Sequence, residues 1–143
     1  MSYDAIGGFN FRVEIGGITH SDSFIGVSVM EMATSVVEYR NGTDRDPWTF
    51  PGRARVGNII LRRAYLQAND LWNWHNNFRQ GVLDRRSGTV TILNADRVSI
   101  VAQFGFHEAW PSRWQLSSLD ANRDALLVEE VELVVRHLEL IGA

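Results

Sequence analysis

The chain has 143 residues, of which 45% are hydrophobic and 22% charged, with three prolines, no cysteine and a formal charge of −3. That composition fits one compact globular domain and excludes disulfides, thiolate metal sites and cysteine nucleophiles. Mild acidity with scattered arginines argues against a nucleic-acid-binding face, and the absence of a leader-like or bilayer-spanning run makes folding in a cytoplasm the expectation.

No Pro/Ser linker, repeat or low-complexity stretch divides the sequence, so residues 1–143 read as a single domain. Phe9–Ile15 alternates apolar and polar side chains, the two-residue period of a half-buried strand. Gly16-Gly17 ends it. From about Gly26 to Arg40 a longer strand is expected, because Val27, Val29, Val36, Val37 and Tyr39 are β-formers. Asn41–Pro47 is built from turn residues and reads as a loop. Asn58–Leu66 reads as the next strand, with Ile59 and Leu61 toward the core.

A helix is marked over about residues 70–80. Asn69 or Asp70 can cap its first turn through a side-chain oxygen, and Leu71, Trp74, His75 and Phe78 fall on one face at helical spacing. Gly81 supplies the left-handed residue that closes a helix, with Val82 folding back as its apolar contact. Arg86-Ser87-Gly88 reads as a turn. Thr89–Leu93 and Val98–Phe106 then read as paired strands joined through Asn94–Arg97, with a further short strand at Arg113–Leu116 and a loop at Leu119–Asp124. The last segment is ambiguous by pattern. Leu127, Val131, Val134, Val135, Leu138 and Ile141 share one helical face, whereas branching at Cβ in Val128, Val131, Val134 and Val135 favours strand.

The candidate chemical sites dissolve on inspection. His20, His75, His107 and His137 are scattered without zinc-site spacing, and His75 reads as helix packing beside Trp74. Asn41–Asp46 superficially suggests a calcium loop, but Arg45 stands at a ligand position and no closing glutamate follows. Gly7, Gly8, Gly16 and Gly17 precede no helix and make no phosphate cradle. Glu129, Glu130 and Glu132 read as a solvated or interface-facing run rather than a glycosidase pair. Arg62-Arg63 and Arg85-Arg86, even with five tryptophans available, do not make a single-strand nucleic-acid platform in an acidic chain. No catalytic residue, metal or cofactor is expected; an enzyme would require a deep pocket gathering His107, Glu108 and another carboxylate.

Ala109-Trp110-Pro111-Ser112-Arg113-Trp114, following Phe104-Gly105-Phe106, resembles the signature of the myophage-type tail tube family, found in contractile phage tails, contractile bacteriocins and extracellular contractile injection systems. Other segments match in order: Phe9–Ile15, Val36–Gly42, Pro51-Gly52 with Gly57–Arg63, Leu71-Trp72-Asn73-Trp74 and Leu119-Asp120-Ala121-Asn122. The resemblance runs from about Phe9 to Leu140, while Gln115–Ser118 and Arg63-Ala64 depart from the family's Gly-containing versions of those stretches.

The resemblance implies a mainly β fold, two sheets packed into a small sandwich-like barrel with one flanking helix. It implies six subunits per ring, their inner sheets joined around a lumen, and a strand rather than a helix from Ala125 to about Glu139. The expected function is a structural, non-enzymatic inner tube subunit whose stacked rings pass cargo or DNA and are driven outward when a sheath contracts. Its partners would be further copies of itself, a sheath protein, baseplate and tube-initiator or cap proteins, and effector cargo or a tape measure in the lumen. It would assemble in a bacterial cytoplasm into a phage tail or phage-tail-like particle and be released with it. A tube-initiating paralogue at the baseplate is the near alternative, disfavoured because no insertion interrupts the chain. A lipocalin-like ligand-binding barrel is the alternative of another class.

On this reading Asn58, Ile60 and Arg62 face the channel, as do Glu38 and Arg40, with Val37 and Tyr39 toward the core. Glu38 would pair with Arg62 or Arg40 of a neighbouring strand. Trp110, Pro111, Ser112, Arg113 and Trp114 would anchor a sheet corner, large rigid aromatics filling such corners well.

Overall fold

The computed structural model describes residues 5–8, 10–43 and 45–142. The predicted strand start at Phe9 and position 44 of the predicted loop lie outside the described residues. The strands are β1 (Phe11–Ile15), β2 (Phe24–Val27), β3 (Met32–Tyr39), β4 (Trp48–Val56), β5 (Ile59–Ala64), β6 (Arg86–Leu93), β7 (Ile100–Leu116), β8 (Val128–Val134) and β9 (His137–Gly142), and the helix is α1 (Asp70–Arg79). Strand order in the main sheet is β1-β6-β7-β8-β5-β2, with β9 also pairing β7, while β3 and β4 form a separate two-stranded sheet. The pairs are antiparallel. The fold is thus mainly β with one packed helix, as expected.

One strand joins the two halves of the main sheet. β7 runs 17 residues; its first part pairs β6 and β9, and its last part, Trp110–Leu116, pairs β8. The changeover falls where Glu108 takes φ 52 and the register shifts between Pro111 and Arg113. Bulges of this kind bend a strand and let it pass between sheets. Pro111 is tolerated because this part of β7 pairs on one side alone, so a missing donor on the other side breaks no ladder. The predicted strands at 98–106 and 113–116 are therefore one element.

Other boundaries differ from expectation. The 26–40 stretch splits into β2 and β3, which pair different partners: after Ser28 exchanges hydrogen bonds with Ile60 (2.9 and 2.8 Å), the chain leaves the main sheet. β4 was not anticipated, since Pro51-Gly52 marks a break in local pattern; Pro51 lies opposite Val36 beside a register shift in a ribbon with two free edges. Arg86–Gly88 is strand, not turn. Gly88 is needed there because a Cβ would lie 2.7 Å from the Glu14 carbonyl oxygen. The ambiguous tail is two strands, β8 and β9, with Glu129, Val131 and Leu133 inward and Glu130 and Glu132 less buried.

The core gathers Val13, Ile59, Leu61, Phe106, Val131 and Leu133 from both halves of the sheet, together with Leu71 and Trp74 from α1. Trp74 is fully buried and its Nε1–H donates to the Asp84 carbonyl at 2.6 Å. The helix closes as predicted on Gly81 (φ 82), whose N–H bonds Phe78 O while Val82 N–H bonds Asn77 O at 2.9 Å. Val82 stays 53% exposed, so these bonds, rather than the predicted apolar contact, terminate α1. At the other end Asn69 makes no side-chain cap, and the Asp70 carboxylate accepts the Leu71 N–H instead.

Candidate functional site

The half-sheet β7–β8–β5–β2 has two unlike faces. Ile59, Leu61, Val131 and Leu133 point into the core. On the other face the side chains interlock across strands. Asn58 Nδ2 donates to Glu132 at 2.9 Å, Arg113 reaches Glu132 at 3.2 Å and Glu130 at 3.0 Å, and Arg62 stands 3.9 Å from Glu130. Arg113 also donates to Gln115 at 2.5 Å. Hydrogen bonding from Asn58, then from Arg113, holds the Glu132 carboxyl below its ordinary range, and the Glu130 carboxylate leads in holding Arg113 more firmly protonated. Two arginines and two glutamates share this face, so its charges cancel locally.

Asn58, Ile60 and Arg62 therefore lie together on one face, joined by Arg113 from the signature motif. Glu38 and Arg40 belong elsewhere, on and just beyond β3 of the two-stranded sheet. There Val37 and Tyr39, expected in the core, are 51% and 59% exposed. A ribbon of two strands has no second layer to bury against, which is why alternation along β3 produces no inside.

Beneath the same half-sheet lies a charged cluster not anticipated from sequence. The side chain of Arg63 is fully buried and bonds Glu129 at 2.6 Å, Asp70 at 2.5 Å and the Thr19 carbonyl oxygen at 3.0 Å, with its guanidinium carbon 5.5 Å from the Phe24 ring centre. Glu129, expected in a solvated run, is buried and also accepts from Trp114 Nε1 at 3.1 Å. The sequence signal was phase: Arg63 continues the inward series of Ile59 and Leu61, and Glu129 that of Val131 and Leu133. Burial opposes ionisation of Asp70, but hydrogen bonds from Arg63 and Thr19 outweigh it and hold the carboxyl well below its usual range.

The Trp110–Trp114 segment ties helix to sheet. Trp110 packs on Phe78 with ring centres 5.7 Å apart, Trp114 meets Trp72 edge-on at 4.9 Å, Pro111 is buried, and Ser112 Oγ donates to the Glu132 carbonyl at 3.3 Å. Two further features face outward. Among the described residues the half-sheet ends at β2 on one side and at Trp110–Leu116 on the other, each with a single partner strand. The β3–β4 ribbon exposes Met32, Val36, Tyr39, Trp48 and Phe50, and apolar side chains exposed together mark a contact surface.

Among the described residues His107, Glu108 and a further carboxylate do not gather in one pocket. His107 bonds Glu139 at 2.7 Å on the surface, while Glu108 turns to Arg136 at 2.7 Å, beside a cavity that His107 does not line. Among the described residues no group of three or more His, Asp or Glu side chains is placed to hold a metal, and no helix is long and apolar enough to cross a membrane. The interior is filled by Trp74, Phe106 and their neighbours, and an apolar cleft of about 250 Å³ lined by Phe11, Ile25, Val27 and Met30 opens to solvent, so the described residues enclose no lipocalin-like chamber.

This helix-braced antiparallel body with a separate two-stranded ribbon shares its fold with chains of contractile injection assemblies. It superposes on a chain of the sheath–tube complex of the extracellular contractile injection system PVC in its extended state (22% identity, TM-score 0.86, covering 99% of this chain and 94% of that one). It also superposes on a chain of the six-fold symmetrised anti-feeding prophage baseplate (22%, 0.83, 99% and 98%) and on Hcp1 from Flavobacterium johnsoniae (19%, 0.65, 94% and 97%). No curated protein sequence matched the chain. The chain belongs to the T4-like virus tail tube protein gp19 family, whose family model matches residues 7–139.

Proposed function

We propose that this tail tube protein closes into six-membered rings through its half-sheet edges and that the rings stack into the inner tube of a contractile particle. The observation that carries this reading is the half-sheet with one face in the core, a charge-paired opposite face and both ends unpaired. Pairing β2 of one copy with the Trp110–Leu116 part of the next satisfies the bare N–H and C=O groups of both edges and joins the half-sheets into a continuous wall. The face bearing Asn58, Ile60, Arg62 and Arg113 then lines the lumen, and α1 lies outside it. Six is the symmetry of the related baseplate.

Stacking is a head-to-tail contact that propagates instead of closing. The β3–β4 ribbon supplies it, burying its exposed aromatics, with Glu38 and Arg40, against the adjacent ring. The protein acts by assembly and not by catalysis; a sheath, a baseplate, a tube initiator and a cap are its partners, and cargo or a tape measure occupies the lumen. Assembly takes place in the bacterial cytoplasm, followed by release as a phage-tail-like particle. Negative-stain microscopy of concentrated protein, alone and with its baseplate and sheath proteins, tests this: rings and tubes are expected. Particles that stay at the 16.2 kDa monomer in the presence of those partners refute it.

A further inference from the structure

We propose that the channel is built to be charge-neutral toward polypeptide cargo and that Arg113 is the residue that sets this selectivity. The inference rests on the lumen assignment of the half-sheet face. Among the described residues each cation on that face stands beside a carboxylate: Arg113 bridges Glu130 and Glu132, and the half-exposed Arg62 lies 3.9 Å from the second oxygen of Glu130. Each of those carboxylates is likewise taken, Glu132 also accepting from Asn58 at 2.9 Å. Among the described residues of this face, a passing carboxylate meets guanidinium groups that already stand beside a carboxylate, and a passing ammonium meets carboxylates that already stand beside a guanidinium. Polypeptide segments carry both signs along their length, so a wall that holds neither lets them slide. A polyphosphate meets the same neutral wall, whose paired arginines offer it no cationic track to bind.

Arg113 is the hinge of this balance because, among the described residues, it alone contacts both glutamates. Arginine suits the place: its planar fork donates to two carboxylates at once, which a lysine ammonium does less well. A neutral side chain at 113 leaves one net negative charge per subunit on the face. Repeated around every ring and along the stack, that charge becomes a field filling a channel whose walls lie within a few screening lengths of about 10 Å at moderate salt.

The test uses assembled tubes of wild type, Arg113→Gln and Glu130→Gln/Glu132→Gln, sedimented with fluorescent Lys-rich or Glu-rich peptides, or with a short DNA duplex, at about 20 and about 500 mM salt. Wild-type tubes are expected to retain both peptides alike, within about twofold. Arg113→Gln should retain the Lys-rich peptide roughly tenfold more at low salt and lose that preference at high salt; the glutamine pair should favour the Glu-rich peptide. If Arg113→Gln does not assemble, the glutamine pair tests the same balance from the opposite sign.

Because the chain has no cysteine, Ile60→Cys reports the lumen separately. It should react with a small maleimide and resist one attached to a carrier wider than the channel. Labelling by the carrier means that Ile60 is outside, and the lumen reading itself fails. With Ile60→Cys protected, equal retention of both peptides by the variants overturns the proposal, as does wild-type preference for one peptide or for the duplex.

Discussion

Replacing Arg63 with methionine should remove a large share of the subunit's stability. The side chain is fully buried and holds two carboxylates, Glu129 at 2.6 Å and Asp70 at 2.5 Å, the first of them almost wholly out of water. Methionine fills much of the volume but leaves Glu129 with Trp114 Nε1 as its remaining donor. Breaking a buried pair by removing one partner costs about 3–5 kcal/mol, because the other charge stays behind desolvated. Against a total stability of about 5–15 kcal/mol, that is enough to bring the subunit near unfolding. With a urea m-value of about 2 kcal/mol/M, the midpoint should fall by about 2 M. The assay is urea unfolding of the unassembled subunit at neutral pH, followed by tryptophan fluorescence. The triple variant Arg63→Met/Asp70→Asn/Glu129→Gln should recover part of the loss, since the orphaned charges are gone. A midpoint within about 0.5 M of wild type, or a triple variant weaker still, would refute the assignment of this cluster as a staple between β5, β8 and α1.

Other outcomes follow from the same geometry. Asp70 titrates below its unfolded value of 3.8, so its contribution is complete above that value and is lost as pH falls beneath it; between about pH 5 and about pH 2, wild type should lose stability more steeply than Asp70→Asn in acid-unfolding titrations. Trp110→Ala strips the partner of Phe78 and should cost about 3 kcal/mol by thermal or urea unfolding, the lower end for a large aromatic because Trp110 is only partly buried. Gly88→Ala drives a Cβ to 2.7 Å from the Glu14 carbonyl oxygen and should destabilise by about 1–3 kcal/mol, with crystallography expected to show β1 displaced from β6. Trp48→Arg, at a residue 62% exposed, should leave the monomer's melting temperature unchanged while shortening tubes in negative-stain images; tubes of wild-type length would remove the ribbon from the stacking contact.

Local signals in the sequence were sufficient for the helix and its Gly81 stop, for the alternating strands β1 and β5, and for the family, because these depend on side-chain periodicity and on residues close together in the chain. The inward phase of Arg63 and Glu129 was legible too, but apolar periodicity passes over a buried charge unless its partner is known. Pairing decided the rest. Whether 26–40 is one strand or two depends on β5 competing with β4 for it; whether the tail is helix or strand depends on β5 and β7 offering β8 two edges; and whether Pro111 breaks a strand depends on a neighbour being absent on one side. Hydrogen-bond partners tens of residues away choose among conformations that local propensity leaves nearly equal in energy, so that choice belongs to the folded tertiary structure.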